Sequence, residues 1–161
     1  HPNLKLIPAN TTNDFFKKTM EEVSSYDVFI SSAALSDIEF SSCKGKIKKD
    51  QIKSSLPVGR SVDVLKNVLS KRKPKQLIIG FAAETDLTEN VLQTKIKSKP
   101  VDILVGTKVN SGIVSNSDRL AFGESEADYK ILQDDKVIFD GVMNKRSLAS
   151  FMLKRIEKWF N

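Results

Sequence analysis

Three short apolar runs set the strongest limit on what this chain can fold into. They lie at residues 27–31 (DVFIS), 76–82 (QLIIGFA) and 101–105 (VDILV). None of them alternates between apolar and polar residues, as a strand with one solvent-facing side would do. Such runs are typical of parallel strands that helices cover on both faces. The sequence therefore predicts an α/β fold with a mainly parallel sheet.

Helical patterns occupy the segments between these runs. Ser61 offers an N-cap oxygen to a helix whose inward apolar stripe falls at residues 62–69. Asp86 or Thr88 begins the next helix, and Pro100 ends it because proline cannot continue a helix. Strand, helix and strand thus alternate along the chain, which is the pattern of a parallel sheet with crossover helices.

The last part of the chain has a different pattern. Residues 129–132 and 137–139 flank Asp134-Asp135, which predicts an antiparallel hairpin. An amphipathic helix then begins at about Ser147 and carries an apolar stripe that ends at Trp159. We expect one domain over residues 1–161, a Rossmann-like three-layer sandwich with a small antiparallel hairpin extension.

Composition narrows the classes of function. Lysine and arginine exceed aspartate and glutamate by six in 161 residues, which indicates an anionic partner. Aromatic residues are only 7%, so nucleic-acid binding is not expected, and no apolar run approaches the roughly 20 residues of a membrane span. A single cysteine suits a reducing compartment, and we expect a cytoplasmic protein. Catalysis or metal binding by histidine is not expected, because His1 is the only histidine.

A polar segment follows the first predicted strand. It contains the small residues Ser32, Ala33 and Ala34, one carboxylate at Asp37, and a lysine cluster that includes Lys46. Ligands of open parallel sheets bind beyond the carboxyl ends of the strands. Small residues allow close approach, a carboxylate can bind a ribose or Mg²⁺, and ammonium groups balance phosphate charge. A turn aspartate and a solvated lysine loop are the competing interpretations.

The second predicted strand ends in a similar way, in the sequence GFAAET at residues 80–85. Phe81 is either a core residue or a platform on which a base stacks. Lys95 and Lys99 follow at a spacing of four on the next helix, where they are either ordinary exposed lysines or phosphate ligands. Both strand ends together predict a nucleotide-handling site.

Four of these features together resemble one known family. They are SAALSD at residues 32–37, GKIKK at residues 45–49, GFAAET at residues 80–85, and the lysine pair that follows. In this order they are similar to phosphopantothenoylcysteine synthetase (phosphopantothenate–cysteine ligase), the C-terminal part of the bifunctional coenzyme A biosynthesis protein. The match runs from about Val28 to the last helix, and it implies a Rossmann-like fold.

The resemblance implies a ligase of coenzyme A biosynthesis. Such an enzyme joins 4′-phosphopantothenate and cysteine through an acyl-cytidylate intermediate, with CTP (or ATP) as co-substrate and Mg²⁺. The resemblance also implies a homodimer and a fused or separate phosphopantothenoylcysteine decarboxylase domain. The alternative function is a non-catalytic nucleotide-binding subunit, or a fragment of the same fold.

The resemblance also implies which residues form the site. Lys46 and Asp37 are expected to be catalytic, and Asp37 is expected to hold the metal. The residues expected to bind the nucleotide are Ser32, Ala33, Ala34, Asp37, Lys46, Val62, Asp63, Val64, Leu65, Phe81, Lys95 and Lys99.

The sequence departs from the family pattern in three places. Residues 106–108 read GTK in place of an AND-type turn, and the helix start at Val62-Asp63 lacks a proline. Both departures leave the choice between CTP and ATP open. The family also begins with a glycine-rich strand turn and an Asn-x-Ser-Ser-Gly segment, and neither occurs here. The domain is therefore expected to lack its N-terminal strand and glycine-rich turn.

Overall fold

The computed structural model describes residues 2–40, 55, 57–109 and 126–161. The elements in these ranges are α1 (Thr12–Glu22), β1 (Val28–Ser31), β2 (Ile38–Phe40), β3 (Val58–Arg60), α2 (Val64–Ser70), β4 (Leu77–Glu84), α3 (Glu89–Ser98), β5 (Ile103–Lys108), β6 (Ala127–Gln133), β7 (Lys136–Met143) and α4 (Lys145–Phe160). A single 3₁₀ turn, Val23–Ser25, follows α1.

The main sheet has five strands in the order β1-β4-β5-β6-β7. The three strands that the apolar runs predict, β1, β4 and β5, pair in parallel, and β6 and β7 extend the sheet antiparallel. Strands β2 and β3 form a separate antiparallel pair. The predicted α/β fold with a mainly parallel sheet and an antiparallel hairpin is therefore confirmed.

Burial explains why the central strands lack alternation. Leu77, Ile78 and Ile79 are consecutive in β4, and each is fully buried. Leu77 and Ile79 belong to the core cluster on the α4 side, whereas Ile78 belongs to the cluster beneath α2 and α3. Because helices cover both faces, each of these three consecutive positions is apolar.

Each helical layer buries the stripe that its sequence pattern indicates. On one face α1, α2 and α3 contribute Met20, Val68 and Leu92, among others. On the other face α4 contributes Leu148 and Met152, with more of its apolar side chains partly buried beside them. The result is the three-layer arrangement that the patterns predicted.

Local turn and cap chemistry sets the ends of the elements. Asp134 and Asp135 have φ values of 51° and 61°, the left-handed pair that a two-residue hairpin turn of type I′ requires. Thr88 is the N-cap of α3, in agreement with one of the two predicted starts. The predicted Ser61 cap of α2 is wrong. Asp63 is the N-cap, because its side chain accepts a hydrogen bond from the Lys66 amide at 3.0 Å.

Candidate functional site

A cleft of about 660 Å³ opens at the carboxyl ends of β1 and β4. It lies between the segment that follows β1 and the start of α2, with one side chain from β4 and one from the end of α3. Eight predicted nucleotide-binding residues line this cleft: Ala33, Asp37, Val62, Asp63, Val64, Leu65, Phe81 and Lys99. The structure thus brings together positions that are separated by up to 66 residues in the sequence (99 − 33).

Hydrogen bonds to main-chain carbonyls hold the turn after β1. The Leu35 amide donates to the Ala33 carbonyl at 3.0 Å, and the Ser36 hydroxyl donates to the Ile38 carbonyl at 2.8 Å. The Asp37 carbonyl accepts from the Ser61 amide at 3.0 Å, which ties this turn to the segment before α2. The Asp37 side chain is exposed to the cleft, and no hydrogen bond or ion pair engages it within the described ranges.

An ion pair crosses one side of the cleft. Lys99 Nζ lies 2.8 Å from Asp63 Oδ2, and both side chains are about 40% exposed, at 41% and 38%. Burial would raise the pKa of the Asp63 carboxyl. The Lys99 ammonium and the Lys66 amide outweigh burial, however, so the pKa is lowered from its usual value. Asp63 is therefore ionised at neutral pH and holds Lys99 at the cleft wall.

The charged groups of the cleft favour an anion. Arg60, Lys66 and Lys99 line it together with the carboxylates of Asp37 and Asp63. Three cations against two carboxylates leave a net positive charge, which attracts a polyphosphate more than a neutral molecule. Arg60 and Lys66 were not among the predicted residues. Both lie next to residues 62–65 in the sequence, and that position could have indicated them because residues 62–65 were predicted.

Two of the predicted lysines, Lys95 and Lys46, are not among the described residues that line the cleft. Lys95 Nζ lies 2.5 Å from Glu84 Oε1, and Lys95 does not line the cleft. Although Lys95 and Lys99 are four residues apart, α3 ends at Ser98 and Lys99 has an extended backbone conformation with φ −140°. Their side chains therefore pair with different carboxylates. Lys46 lies outside the described residues, so its role stays a prediction.

A second cavity, of about 420 Å³, lies next to the cleft. Ala33 and Phe81 line both spaces, and the predicted residues Ser32 and Ala34 line only this one. It borders α4, whereas the cleft borders α2, on the opposite face of the sheet. The other residues that line it are Ala82, Ala83, Thr107, Tyr129, Lys145 and Leu148.

Sequence reasoning missed three polar residues of this second cavity: Thr107, Tyr129 and Lys145. Thr107 near the end of β5 pairs in register with Tyr129 of β6, and both are buried. Burial raises the pKa of the Tyr129 hydroxyl, which therefore stays protonated at neutral pH. Thr107 could have been predicted from its position near the end of β5, because ligands bind beyond the carboxyl ends of parallel strands. No local signal marks Tyr129, because it comes from a distant antiparallel strand.

Asp37 is the residue that was predicted to hold a metal ion. In the described ranges no group of three or more His, Cys, Asp or Glu side chains is placed to hold a metal ion. Mg²⁺ is commonly held by one or two carboxylates together with substrate phosphates, and the exposed Asp37 carboxylate fits that mode. Asp37 as a metal ligand remains a prediction.

Among the described residues, none of the helices is both long and apolar enough to span a membrane.

One family of known proteins matches nearly the whole chain. Residues 1–160 match the family model described as "DFP: DNA/pantothenate metabolism flavoprotein C-terminal domain". A match over this length includes both strand ends and the cleft between them.

Curated relatives carry the name "Coenzyme A biosynthesis bifunctional protein CoaBC". The protein from Bacillus subtilis (strain 168) is 30% identical over 108 residues, which is 66% of this chain. The protein from Methanocaldococcus jannaschii is 34% identical over 89 residues, which is 55% of this chain. The matched part is 26% of the length of the Bacillus protein and 22% of the Methanocaldococcus protein, so this chain corresponds to about a quarter of such relatives.

Two solved structures share the fold. "The Crystal Structure of the DNA/Pantothenate Metabolism Flavoprotein from Streptococcus pneumoniae" superposes with a TM-score of 0.74 at 18% identity, covering 99% of this chain and 75% of that one. The crystal structure of the C-terminal domain of a CoaBC protein gives 0.68 at 24% identity, covering 96% and 65%. The chain therefore belongs to the family of the DNA/pantothenate metabolism flavoprotein C-terminal domain, as the resemblance to the C-terminal part of the bifunctional coenzyme A biosynthesis protein predicted.

Proposed function

We propose that this chain is the nucleotide-binding part of a phosphopantothenate–cysteine ligase of coenzyme A biosynthesis. One observation carries the proposal: eight of the twelve residues that the resemblance assigned to the nucleotide line a single cleft at the carboxyl edge of the parallel strands. The relatives named for coenzyme A biosynthesis support the pathway, and the net positive charge of the cleft supports a polyphosphate ligand.

The proposed reaction has two group transfers. A carboxylate oxygen of 4′-phosphopantothenate attacks the α-phosphorus of CTP, and pyrophosphate leaves with the electrons of the broken P–O bond. The amino group of cysteine then attacks the acyl carbonyl, loses a proton, and displaces CMP. Negative charge accumulates on the leaving pyrophosphate, where positioned cations lower the barrier. Lys99 from the cleft wall and Lys46 are assigned this role.

The remaining residues position the nucleotide. Asp37 accepts hydrogen bonds from ribose hydroxyls or binds Mg²⁺, which would arrive with the triphosphate and help to neutralise it. Phe81, which borders both cavities, offers an aromatic face for the base. CTP is the proposed nucleotide and ATP the competing one. A homodimer and an associated decarboxylase domain belong to the same proposal.

Calorimetric titration followed by a pyrophosphate-release assay tests this function. The chain, expressed together with the glycine-rich N-terminal segment of the family, is titrated with CTP and with ATP, and pyrophosphate is then measured after 4′-phosphopantothenate and cysteine are added. We expect CTP binding and pyrophosphate release that depends on the acid substrate. Binding without release would support the alternative, a non-catalytic nucleotide-binding subunit. Absence of binding would contradict both.

Two substitutions make the assay specific. Asp37→Ala and Lys46→Ala are each expected to lower turnover by roughly 100-fold or more, because Asp37 would hold the ribose or the Mg²⁺ of the nucleotide and Lys46 would neutralise its phosphates. Asp27→Ala is the matched control for Asp37, since Asp27 is an exposed carboxylate at the opposite end of β1. Lys17→Ala, on an exposed position of α1, is the control for Lys46. Near wild-type turnover in both test variants would refute the assignment.

A further inference from the structure

The outermost antiparallel strand of the main sheet has a free edge beside α4. β7 is the last strand in the order β1-β4-β5-β6-β7, so no described strand pairs with its other side. Two hollows lie between β7 and α4, with volumes of about 530 Å³ and 420 Å³. The free edge and these two hollows together form the outer groove. A free strand edge is a template on which another extended chain can pair.

The charges of the outer groove are nearly all positive. Five cations line the two hollows: Arg146 and Lys154 in the larger one, and Lys136, Arg155 and Lys158 in the smaller one. The one carboxylate among the described residues that line either hollow is Asp134. Within the described ranges no ion pair engages any of the five cations. Such a surface attracts a negatively charged partner.

The contacts of Arg155 and Asp140 leave this charge available. Arg155 Cζ lies 5.2 Å from the centroid of the Phe151 ring. The ring holds the guanidinium group in place but does not neutralise it. Asp140, the one carboxylate of β7, is paired with Lys130 of β6 at 3.0 Å and lines neither hollow. The carboxylate of the strand itself therefore does not cancel the positive charge of the groove.

The uncharged residues of the outer groove favour a peptide over other anions. Val142 is 37% exposed and lines the larger hollow, and Ile138 and Trp159 line the smaller one. Gln133 also lines the smaller hollow, and its Oε1 atom is buried without a hydrogen-bond partner. That acceptor requires an N–H or O–H donor. The main chain of a peptide supplies N–H donors and apolar side chains together, whereas a phosphodiester backbone supplies neither.

We propose that the outer groove docks an extended acidic segment of a partner protein. The segment adds a strand to the free edge of β7, which is a recurring mode of peptide recognition. Its carboxylates pair with the cations of the two hollows, and its apolar side chains pack on Val142 and Trp159. The groove lies at the edge of the sheet opposite β1, whose carboxyl end borders the nucleotide cleft. This inference therefore goes beyond the proposed ligase function and does not depend on it.

A peptide of alternating glutamate and valine tests the proposal. The probe is acetylated, amidated and eight residues long, the length of β7. Alternation places the carboxylates on one face of the extended peptide and the valines on the other. Trp159 is the only tryptophan of the chain and lines the groove, so its fluorescence reports binding directly. We expect saturable binding, and binding at least about tenfold weaker for the same peptide with glutamine in place of glutamate.

Paired substitutions separate the groove from the overall charge of the protein. The test variant combines Lys136→Gln with Lys158→Gln, and both lysines are exposed in the smaller hollow. The control combines Lys17→Gln with Lys97→Gln, which removes the same charge from α1 and α3. Lys97 matches Lys158 because each lies in the last turn of its helix. We expect the test variant to weaken the peptide about tenfold and the control to stay within about twofold, since exposed ion pairs each contribute only a few-fold.

Methylation of the peptide main chain tests whether the strand edge is used. Two further peptides carry N-methyl groups, one on the odd amides and the other on the even amides, and both keep every carboxylate. A strand that pairs with β7 presents only one of its edges, so we expect one of the two peptides to bind about tenfold more weakly than the other. Equal affinities of the two would overturn pairing at this edge.

The remaining outcomes decide whether the partner is a peptide. Loss of affinity in the test variant alone, with CTP affinity unchanged, supports the proposal. Equal loss in the test and control variants, or no saturable binding of the glutamate peptide, overturns it. A single-stranded thymidine octamer or phosphatidylserine vesicles that bind more tightly than the peptide, with the same dependence on Lys136 and Lys158, would also overturn it in favour of a nucleic acid or a membrane surface.

Discussion

The two edges of the parallel strands use similar polar residues in opposite ways. At the amino edge, Gln76 immediately precedes β4, and its Nε2 donates to the carbonyls of Val23 and Tyr26 at 2.8 Å each. Asp102 precedes β5 and accepts from the Ile78 amide at 2.7 Å. At the carboxyl edge, the polar side chains line the cleft and the second cavity.

The difference separates structural polar groups from functional ones. At the amino edge the polar side chains satisfy main-chain groups that folding would otherwise leave buried and unbonded, at a cost of about 1–3 kcal/mol each. Asp102 Oδ1 also lies 2.6 Å from Arg72 Nη2. This ion pair joins the segments that precede β4 and β5. At the carboxyl edge, the Asp37 carboxylate and the hydroxyls of Thr107 and Tyr129 have no such partner in the described ranges. Substitution of these bonded side chains at the first edge should reduce stability, and substitution of the unbonded polar side chains at the second edge should reduce binding.

The largest expected change is at the amino edge. Asp102→Ala removes the acceptor of the Ile78 amide and the partner of Arg72 together. We expect the free energy of unfolding to fall by roughly 3 kcal/mol, with CTP affinity unchanged in the folded protein. Urea unfolding measures the first quantity and calorimetry the second. Asp27→Ala, an exposed carboxylate at the same edge, is the control and should change little.

The next largest change concerns the backbone under the carboxyl edge. A Cβ on Gly106 of β5 would lie 2.9 Å from one Leu92 methyl and 3.1 Å from a Leu87 methyl. We therefore expect Gly106→Ala to cost about 1–3 kcal/mol through overpacking. Gly59→Ala is the control, because the nearest atom to a Cβ there is 3.9 Å away. Equal unfolding midpoints for both variants would show that the edge tolerates the added methyl group.

A smaller change is expected in binding at the carboxyl edge. Lys99→Gln removes an ammonium group from the cleft wall, and we expect CTP to bind about tenfold more weakly, which is about 1.4 kcal/mol. The free energy of unfolding should change by less than about 1 kcal/mol, since the Lys99–Asp63 pair is substantially exposed. Lys97→Gln, in the last turn of α3, is the control. A similar loss of CTP affinity in both variants would argue against a specific contact.

The smallest change depends on pH. The folded pKa of Asp63 is lowered, so its ion pair stabilises the protein above the unfolded pKa of about 3.9 and stops doing so as the pH falls through the folded value. Asp63→Asn keeps a helix-capping side chain and removes the charge. We expect wild type to be more stable than this variant at pH 7 by under about 1 kcal/mol, with the difference vanishing in acid. A constant difference from pH 7 to pH 3 would contradict this origin.

Much of the fold could be predicted because its determinants are local. The lack of alternation in β4 indicated burial on both faces, and the Asp134-Asp135 pair indicated the hairpin. The cap of α2 was assigned to Ser61 instead of Asp63 because neighbouring polar residues have similar capping preferences. Such a choice depends on which side chain reaches the free amide, and spacing alone does not reveal it.

The site was harder to predict than the fold. Residues that follow β1 and β4 were predicted, because strand ends of a parallel sheet converge on one edge. The pairing of Lys95 with Glu84 was not, since it depends on where α3 ends. Tyr129 was not predicted either, because it reaches the cavity from an antiparallel strand far along the chain. Contacts between residues that are far apart in the sequence therefore could not be predicted from local motifs.

Amide chemical shifts during a CTP titration test the division between the two edges most directly. We predict saturable shifts for residues that line the cleft, above all Ala33, Asp37 and Asp63, and none for Gln76 and Asp102 at the opposite edge. Saturable shifts at the amino edge, or none in the cleft at concentrations where calorimetry detects binding, would contradict the account.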